Sequence, residues 1–290
     1  FATQVSGLAA VLAGAAIGGA VFWDAISDPL MGWILDRTRT RFGRFVPYFL
    51  IGAAGLAVSV VLLFNPPAIA SQAGKFAYLL AVYVFLHTAL TILSVPHIAM
   101  AGIISSDRHE RTVLYGWRLI FGNLGLLLGL LLPVTVASLG GRNFDQTEGF
   151  AAGLARSADV LALILLLAAV LTVLAVRRYD RVEMEPRVFT LREMLPGFIR
   201  VAKNRVFLPL FLAFVAASIG RTINGAVAFY YYQHTLDFTR QQVVVDILLV
   251  FVGVILLSVP VWVWLSRKYG KKWPAFWGIL ALGVLTCIAY

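Results

Sequence analysis

An all-α, polytopic membrane bundle is the fold class this sequence predicts, and three observations predict it. The first is composition. Of 290 residues, 60% are hydrophobic and 13% charged, where an ordinary soluble domain carries about 45–50% and about 25%. The mean hydropathy of +0.87 says the same. The second is that the apolar residues gather into eight stretches near or above the roughly 20 residues a helix needs to cross a bilayer. The third is that the 24 Lys and Arg residues are distributed unevenly between the connecting loops. Together these exclude a water-soluble globular domain and a disordered chain. The one cysteine, Cys287, excludes a disulfide framework and a cysteine metal site.

In chain order the stretches are 5–35, 46–66, 75–104, 113–140, 157–176, 206–235, 243–266 and 273–290. The first carries Gly14, Gly18 and Gly19, and the fourth Gly122, Gly125 and Gly129. Small residues let membrane helices approach closely, so a packed bundle is expected. The second and eighth open on Val46-Pro47 and Trp273-Pro274, where proline suits a helix start. Strands are excluded, because barrel strands alternate in polarity over about 10 residues. No signal peptide fits ahead of the first stretch. Phe1 stands directly before it and Tyr290 lies within an apolar run, so the sequence reads as cut at both ends.

Eighteen of the basic residues fall in the loops after the first, third, fifth and seventh stretches, against four on the other side. By the positive-inside rule the richer side is cytoplasmic, so the net charge of +10 is a topology signal and no nucleic-acid partner is expected. Residues 177–205 form the longest polar stretch, with Pro186 and Pro196. Within it Leu191 to Val201 is expected as a short amphipathic surface helix. The expected organisation is an N-terminal bundle over 1–176, a central cytoplasmic loop over 177–205, and the start of a C-terminal bundle over 206–290. A short repeat supports it. Phe42-Gly43-Arg44 precedes Val46-Pro47, and Tyr269-Gly270-Lys271 precedes Trp273-Pro274. Parallel repeats of this kind are built into transporters.

The strings Trp23-Asp24-Ala25-Ile26-Ser27-Asp28-Pro29-Leu30-Met31-Gly32-Trp33, Arg41-Phe42-Gly43-Arg44, Val95-Pro96-His97 and Asp107-Arg108-His109-Glu110-Arg111-Thr112 carry a resemblance. The chain resembles the major facilitator superfamily and, within it, the glycoside–pentoside–hexuronide:cation symporters, the melibiose-permease-like group. The resemblance implies that the stretches are helices 2–9 of twelve. The N-terminal bundle would then lack its first helix.

Polar residues inside the apolar stretches are the candidate site. An Asp near the bilayer centre costs roughly 2.5–3.5 kcal/mol, and Asp24 and Asp28 share one helix face with Ser27 beside them. A bound cation, or a proton on one carboxylate, relieves their repulsion. Pro29 frees a nearby carbonyl. The third stretch places His87, Thr91 and Ser94 on one face with His97 at its edge. Both histidines also read as plain helix contacts, and His97 as a group titrating near neutral pH. The resemblance implies that Asp24, Ser27, Asp28, Thr91 and Ser94 hold the coupling ion, with Na⁺ at Asp24 and Asp28 as the metal alternative. It also implies that Ser94 stands where the group has a third acid, and Ser27 where it has an Asn. Those departures favour H⁺ over Na⁺.

Substrate is expected at Arg118, Asn123, Arg221 and Asn224, with His97 and Ile98. Arg118 offers a fork of donors for sugar hydroxyls, or a partner for Asp24, or snorkels to the membrane surface. The resemblance favours the sugar contact. Arg221 shares a polar face with Ser218 and Asn224, fit to line a cavity. It either binds an anionic substrate or pairs with an acid from another helix. Asp36, Arg37, Gly43 and Arg44 are expected to gate through loop ion pairs, the plain alternative being topology signal alone.

No phosphate-binding loop, paired Cys/His spacing or nucleophile triad appears, so no cofactor beyond a coupling ion is expected. The function these readings support is cation-coupled symport of a sugar or glycoside by a multi-pass protein of the bacterial inner membrane. The partners are the solute and the lipid bilayer, with no obligate protein partner. An amphiphile, lysolipid or drug carrier of the same fold is one alternative. A non-transporting membrane sensor or enzyme is another.

Overall fold

The computed structural model describes residues 2, 3, 5–105, 107–180, 196, 200, 203–205, 207–270 and 272–289. Among them there are helices and no strands. The long helices are α1 (Ala10–Arg37), α2 (Val46–Phe64), α3 (Gln72–Ile104), α4 (Arg108–Leu139), α5 (Thr147–Val176), α6 (Phe207–His234), α7 (Leu248–Tyr269) and α8 (Lys272–Ala289). A helical turn at Arg240–Gln242 and a π-helical segment at Val243–Ile247 lead into α7. Each expected stretch is therefore a helix. Seven helices are long and apolar enough to cross a membrane, while the apolar part of α8, Lys272–Leu285, is shorter.

Helix ends shift from the expected stretches by up to ten residues, and two of the differences are informative. Helix α5 starts at Thr147 rather than residue 157, because Glu148 suits the positive end of a helix and an Ala/Gly run follows. Polarity ended the predicted span there, but it does not end the helix. The expected stretch opens at residue 243, but the run there is π-wound over Val243–Ile247 before α7 begins. The short helix expected within 191–201 lies outside the described residues.

The chain forms two compact units. One comprises Phe1–Ala99 and Pro133–Val243, the other Met100–Leu132 and Val244–Tyr290. In both, small residues mediate the helix contacts. Within the first unit Ala16, Ala20, Ala53 and Ala158 are buried, while Phe22 and Leu171 are largely exposed. That is the expected arrangement where the apolar surroundings are lipid and close backbone packing drives association. Gly52 of α2 lies so close to α3 that a Cβ there would stand 2.8 Å from the backbone nitrogen of Leu93. Gly153 of α5 meets the Pro133 carbonyl of α4 in the same way, at 2.5 Å. In the second unit Gly116 packs α4 on Val263 of α7, and Gly278 packs α8 on Trp262.

Helix α2 poses a capping problem. Phe45 precedes it and supplies no side-chain cap, and Pro47 has no N–H to bond. The remaining donors reach across the unit to Asp180, just past the end of α5. Its carboxylate accepts from the backbone N–H groups of Arg44 (2.9 Å), Phe45 (3.0 and 2.8 Å) and Val46 (2.9 Å). Asp180 is only 6% exposed. The positive end of α2 and these charge-assisted bonds make that burial tolerable. Gly43, at φ +109°, turns the chain into this cradle, and a Cβ there would stand 2.2 Å from the Asp180 carboxylate.

The α2–α3 contact gives a direct test. Gly52→Val forces α2 away from the Leu93 backbone, which a side chain cannot relieve by changing rotamer. Overpacking of this kind costs about 1–3 kcal/mol. Thermal unfolding of the detergent-purified protein should show a lowered midpoint, and Gly14→Val, with open space around it, should leave it in place.

Candidate functional site

Helices α1 and α3 run side by side in the first unit, joined by a polar seam. The Trp23 indole N–H donates to Thr88 Oγ1 at 2.9 Å. Asp24 Oδ2 lies 2.6 Å from His87 Nδ1. The Thr91 hydroxyl donates to Asp28 Oδ1 at 2.7 Å, and Ser27 Oγ approaches Thr91 Oγ1 at 3.4 Å. With the Thr91 proton committed to Asp28, Ser27 is the donor in that last contact. The partners are separated by a near-constant 63 to 65 residues. The two helices therefore run in the same direction, in a register the four contacts fix.

Local sequence explains why the seam forms. The buried face of α1 carries Ala13, Ala16, Ala20, Ser27, Met31 and Leu35, a stripe at helical spacing. Asp24 continues that stripe, so the packing that buries the alanines carries the carboxylate inward. On α3 the residues His87, Thr88 and Thr91 fall within one turn. Thr91 is 3% exposed and Ser27 6%. The side chains of His87 and Asp24 are more open, at 19% and 33%.

The expected crowding of two carboxylates is resolved by separate partners, an imidazole for Asp24 and a hydroxyl relay for Asp28. Asp24 Oδ1 is nonetheless buried without a hydrogen-bond partner among the described residues. Pro29 sits within α1 and the helix continues through it. It takes away the N–H that the Ala25 carbonyl would otherwise bond. An orphaned carboxylate oxygen, hydroxyls and a released carbonyl are hard donors, which fit a hard cation. The same groups offer a proton two carboxylates and an imidazole. Among the described residues no group of three or more His, Cys, Asp or Glu side chains is arranged to hold a metal ion.

The other predicted residues are placed as follows. Ser94 is half-buried on α3, beyond the contacts of the seam. His97 stands edge-on to Phe49 of α2, with ring centroids 6.4 Å apart, and Ile98 is exposed. Asn224 is exposed on α6, and the side chain of Arg221 lies outside the description. Arg118 and Asn123 belong to the second unit. Arg118 is exposed there, while the Asn123 amide donates to the Leu119 carbonyl of its own helix at 2.8 Å.

Among the gating candidates, Arg44 forms an ion pair with Asp36 and its Nε donates to the Leu35 carbonyl at 2.7 Å. Arg37 lies over the Trp33 ring at 4.0 Å.

Sequence reasoning missed Trp23 and Thr88, read His87 as a helix contact without naming its partner, and missed Asp180. For Asp180 a signal was present: Phe45-Val46-Pro47 starts a helix that its own side chains cannot cap.

The Asp24–His87 contact is testable without any solute. Asp24→Asn and His87→Gln should each lower the unfolding midpoint, and the double variant should be less damaged than their sum. A coupling of about 0.5–3 kcal/mol is expected for residues in direct contact. Additive effects would mean that the two side chains act independently.

Comparison with known proteins agrees with this architecture. The whole chain, residues 1–290, matches the family described as MFS/sugar transport protein. YagG of Escherichia coli (strain K12), provisionally named a glycoside/cation symporter, is 38% identical over 154 residues, 52% of this chain and 33% of that protein. The inner membrane symporter YicJ of the same organism is 34% identical over 196 residues, 67% of this chain and 41% of YicJ. The sodium-dependent lysophosphatidylcholine symporter 1 of Gallus gallus is 26% identical over 288 residues, 89% of this chain and 53% of that protein. The matched part of the chain thus spans about a third to just over a half of the length of these relatives. With apolar helices of spanning length and a match over every residue, the chain is an integral multi-pass membrane protein that belongs to the MFS/sugar transport protein family.

Proposed function

We propose that this chain is part of a secondary active transporter that couples entry of a sugar or glycoside to H⁺ or Na⁺. The observation that carries the reading is the α1–α3 seam, where two carboxylates sit within membrane-spanning helices and one carboxylate oxygen has no partner. Such groups are costly in a bilayer and mark ion paths. Nothing in the described residues points to a catalytic activity. The glycoside assignment draws on the name of YagG and on the strings around Asp24 and Asp28.

In this reading the ion loads at Asp24 and Asp28, with the hydroxyls of Ser27, Thr91 and Ser94 as further ligands. Its charge cancels part of theirs and stiffens the α1–α3 pair. The residues proposed to contact sugar hydroxyls are Arg118 and Asn123 in the second unit, and Arg221, Asn224, His97 and Ile98 in the first. Coupling needs only that the ion-free form binds solute poorly, and reciprocity makes solute strengthen ion binding by the same factor. The loops of Asp36, Arg37, Gly43 and Arg44 face the cytoplasm and gate the return.

The lysophosphatidylcholine symporters cover 89% of this chain, which favours an amphiphile as the second cargo to examine. Both cargoes use the same ion seam.

The deciding measurement uses the full-length protein in de-energised cells. External pH is recorded while glycosides are added, with and without Na⁺, beside an Asp28→Asn control. Proton symport predicts alkalinisation that requires a particular glycoside and falls by about ten-fold or more in the variant, within the usual range of coupling between sites. Na⁺-stimulated uptake without a pH change would assign the coupling to Na⁺. No response to any glycoside, with lysophosphatidylcholine taken up instead, would remove the sugar.

A further inference from the structure

We infer that Asp180 is a positioning residue of the gate, a carboxylate clasp that fixes the end of α5 and the start of the central loop on the first turn of α2. The inference rests on the carrier reading above and adds a residue that lies far in sequence from the gating loop.

The geometry is specific. Four charge-assisted hydrogen bonds converge on one carboxylate, from Arg44, Phe45 (to both oxygens) and Val46. The donors are successive backbone N–H groups at a helix start, held concave by the positive φ of Gly43. Such a run forms an anion-binding nest, and here the anion comes from the same chain. The neighbouring Tyr179 and Asp180 N–H groups bond back to the Val176 carbonyl at 2.8 and 3.2 Å, so the carboxylate is tied tightly to α5.

Arg44 makes the clasp three-way. Its backbone N–H holds Asp180, while its guanidinium holds Asp36 and its Nε the Leu35 carbonyl at the end of α1. The ends of α1 and α5 and the start of α2 therefore meet at one residue. In the carrier reading Arg44 is a gating residue, and Asp180 fixes the backbone from which its side chain reaches Asp36.

Gly43 belongs to the same device. Any Cβ would occupy the position of the Asp180 carboxylate, 2.2 Å away. Gly43 is thus required by Asp180 as well as by the turn, while Arg44 gives the carboxylate only its backbone N–H.

The test uses the full-length protein in proteoliposomes, with Asp180→Asn, Asp180→Glu and Gly43→Ala. The first readout needs no solute: the rate of trypsin cleavage after Arg177 and Arg178. Cleavage of a transiently opened segment follows the population of its open form, so Asp180→Asn and Gly43→Ala should accelerate it by about ten-fold or more. The two changes combined should do little more than either alone, because both break one contact. Asp180→Glu keeps the charge and should stay near the unaltered rate.

The second readout is ion-driven glycoside uptake. Asp180→Asn should lower the maximal rate and leave the half-saturating concentration unchanged, with Asp180→Glu restoring the rate. Unchanged cleavage in Asp180→Asn would overturn the clasp. Faster cleavage with an unaltered maximal rate would reduce Asp180 to a structural cap and overturn its part in gating. If the unaltered protein moves neither glycoside nor lysophosphatidylcholine, the carrier reading is what fails, and cleavage alone then decides whether the clasp exists.

Discussion

A carboxylate carried into a bilayer by an apolar helix must find its partners on a neighbouring helix, because neither lipid nor its own backbone can supply them. Asp24 and Asp28 impose this on α1. The helix cannot rotate or slide without parting Asp24 from His87 and Asp28 from Thr91. Rotation and register of α1 against α3 are thereby set by polar contacts. The alanine stripe of α1 then allows the approach those contacts require. On the other side of α3, Gly52 and Gly55 bring α2 equally close. The first unit is organised outward from this seam.

Asp180 solves the same electrostatic problem by another route. It is more completely buried than Asp24, and its partners are the free N–H groups of a helix end. Every helix start leaves such donors unsatisfied. At α2 the local sequence cannot satisfy them, since Phe45 has no acceptor. The unpaired acid after α5 and the uncapped start of α2 each cost free energy alone. Brought together they satisfy one another.

What was legible in the sequence follows from the range of each interaction. Composition and apolar run length gave all eight helices, because crossing a bilayer is a property of one segment at a time. Where polarity and helicity part company, as over Thr147–Arg156, run length misplaced the helix start. The Asp24–Ser27–Asp28 face was legible because helical periodicity is local. Its partners were less so. His87 was seen on the right face of α3, but its bond to Asp24 joins positions 63 residues apart, and no local pattern encodes that distance. Asp180, about 135 residues from the donors it accepts from, was missed for the same reason. The substrate residues on α4 and α6 depend on packing that periodicity does not reach. The orphan Oδ1 of Asp24 appeared only once its neighbours were in place.

The contacts at the basic-loop end differ in how easily they part. The Asp36–Arg44 pair is partly solvent-exposed, with the Asp36 side chain 58% accessible. Pairs of this kind contribute about 0–1 kcal/mol, so thermal motion opens and re-forms them readily. The Asp180 carboxylate is buried with its bonds satisfied, and separating it would strand both a charge and a row of amides. A unit that moves as one body needs its internal joints of the second kind and its releasable contacts of the first. Arg44 takes part in both, through its backbone and its side chain respectively. A change that reaches only the guanidinium therefore loosens the exposed pair alone, while a change at Gly43 or Asp180 loosens the frame from which that pair is made.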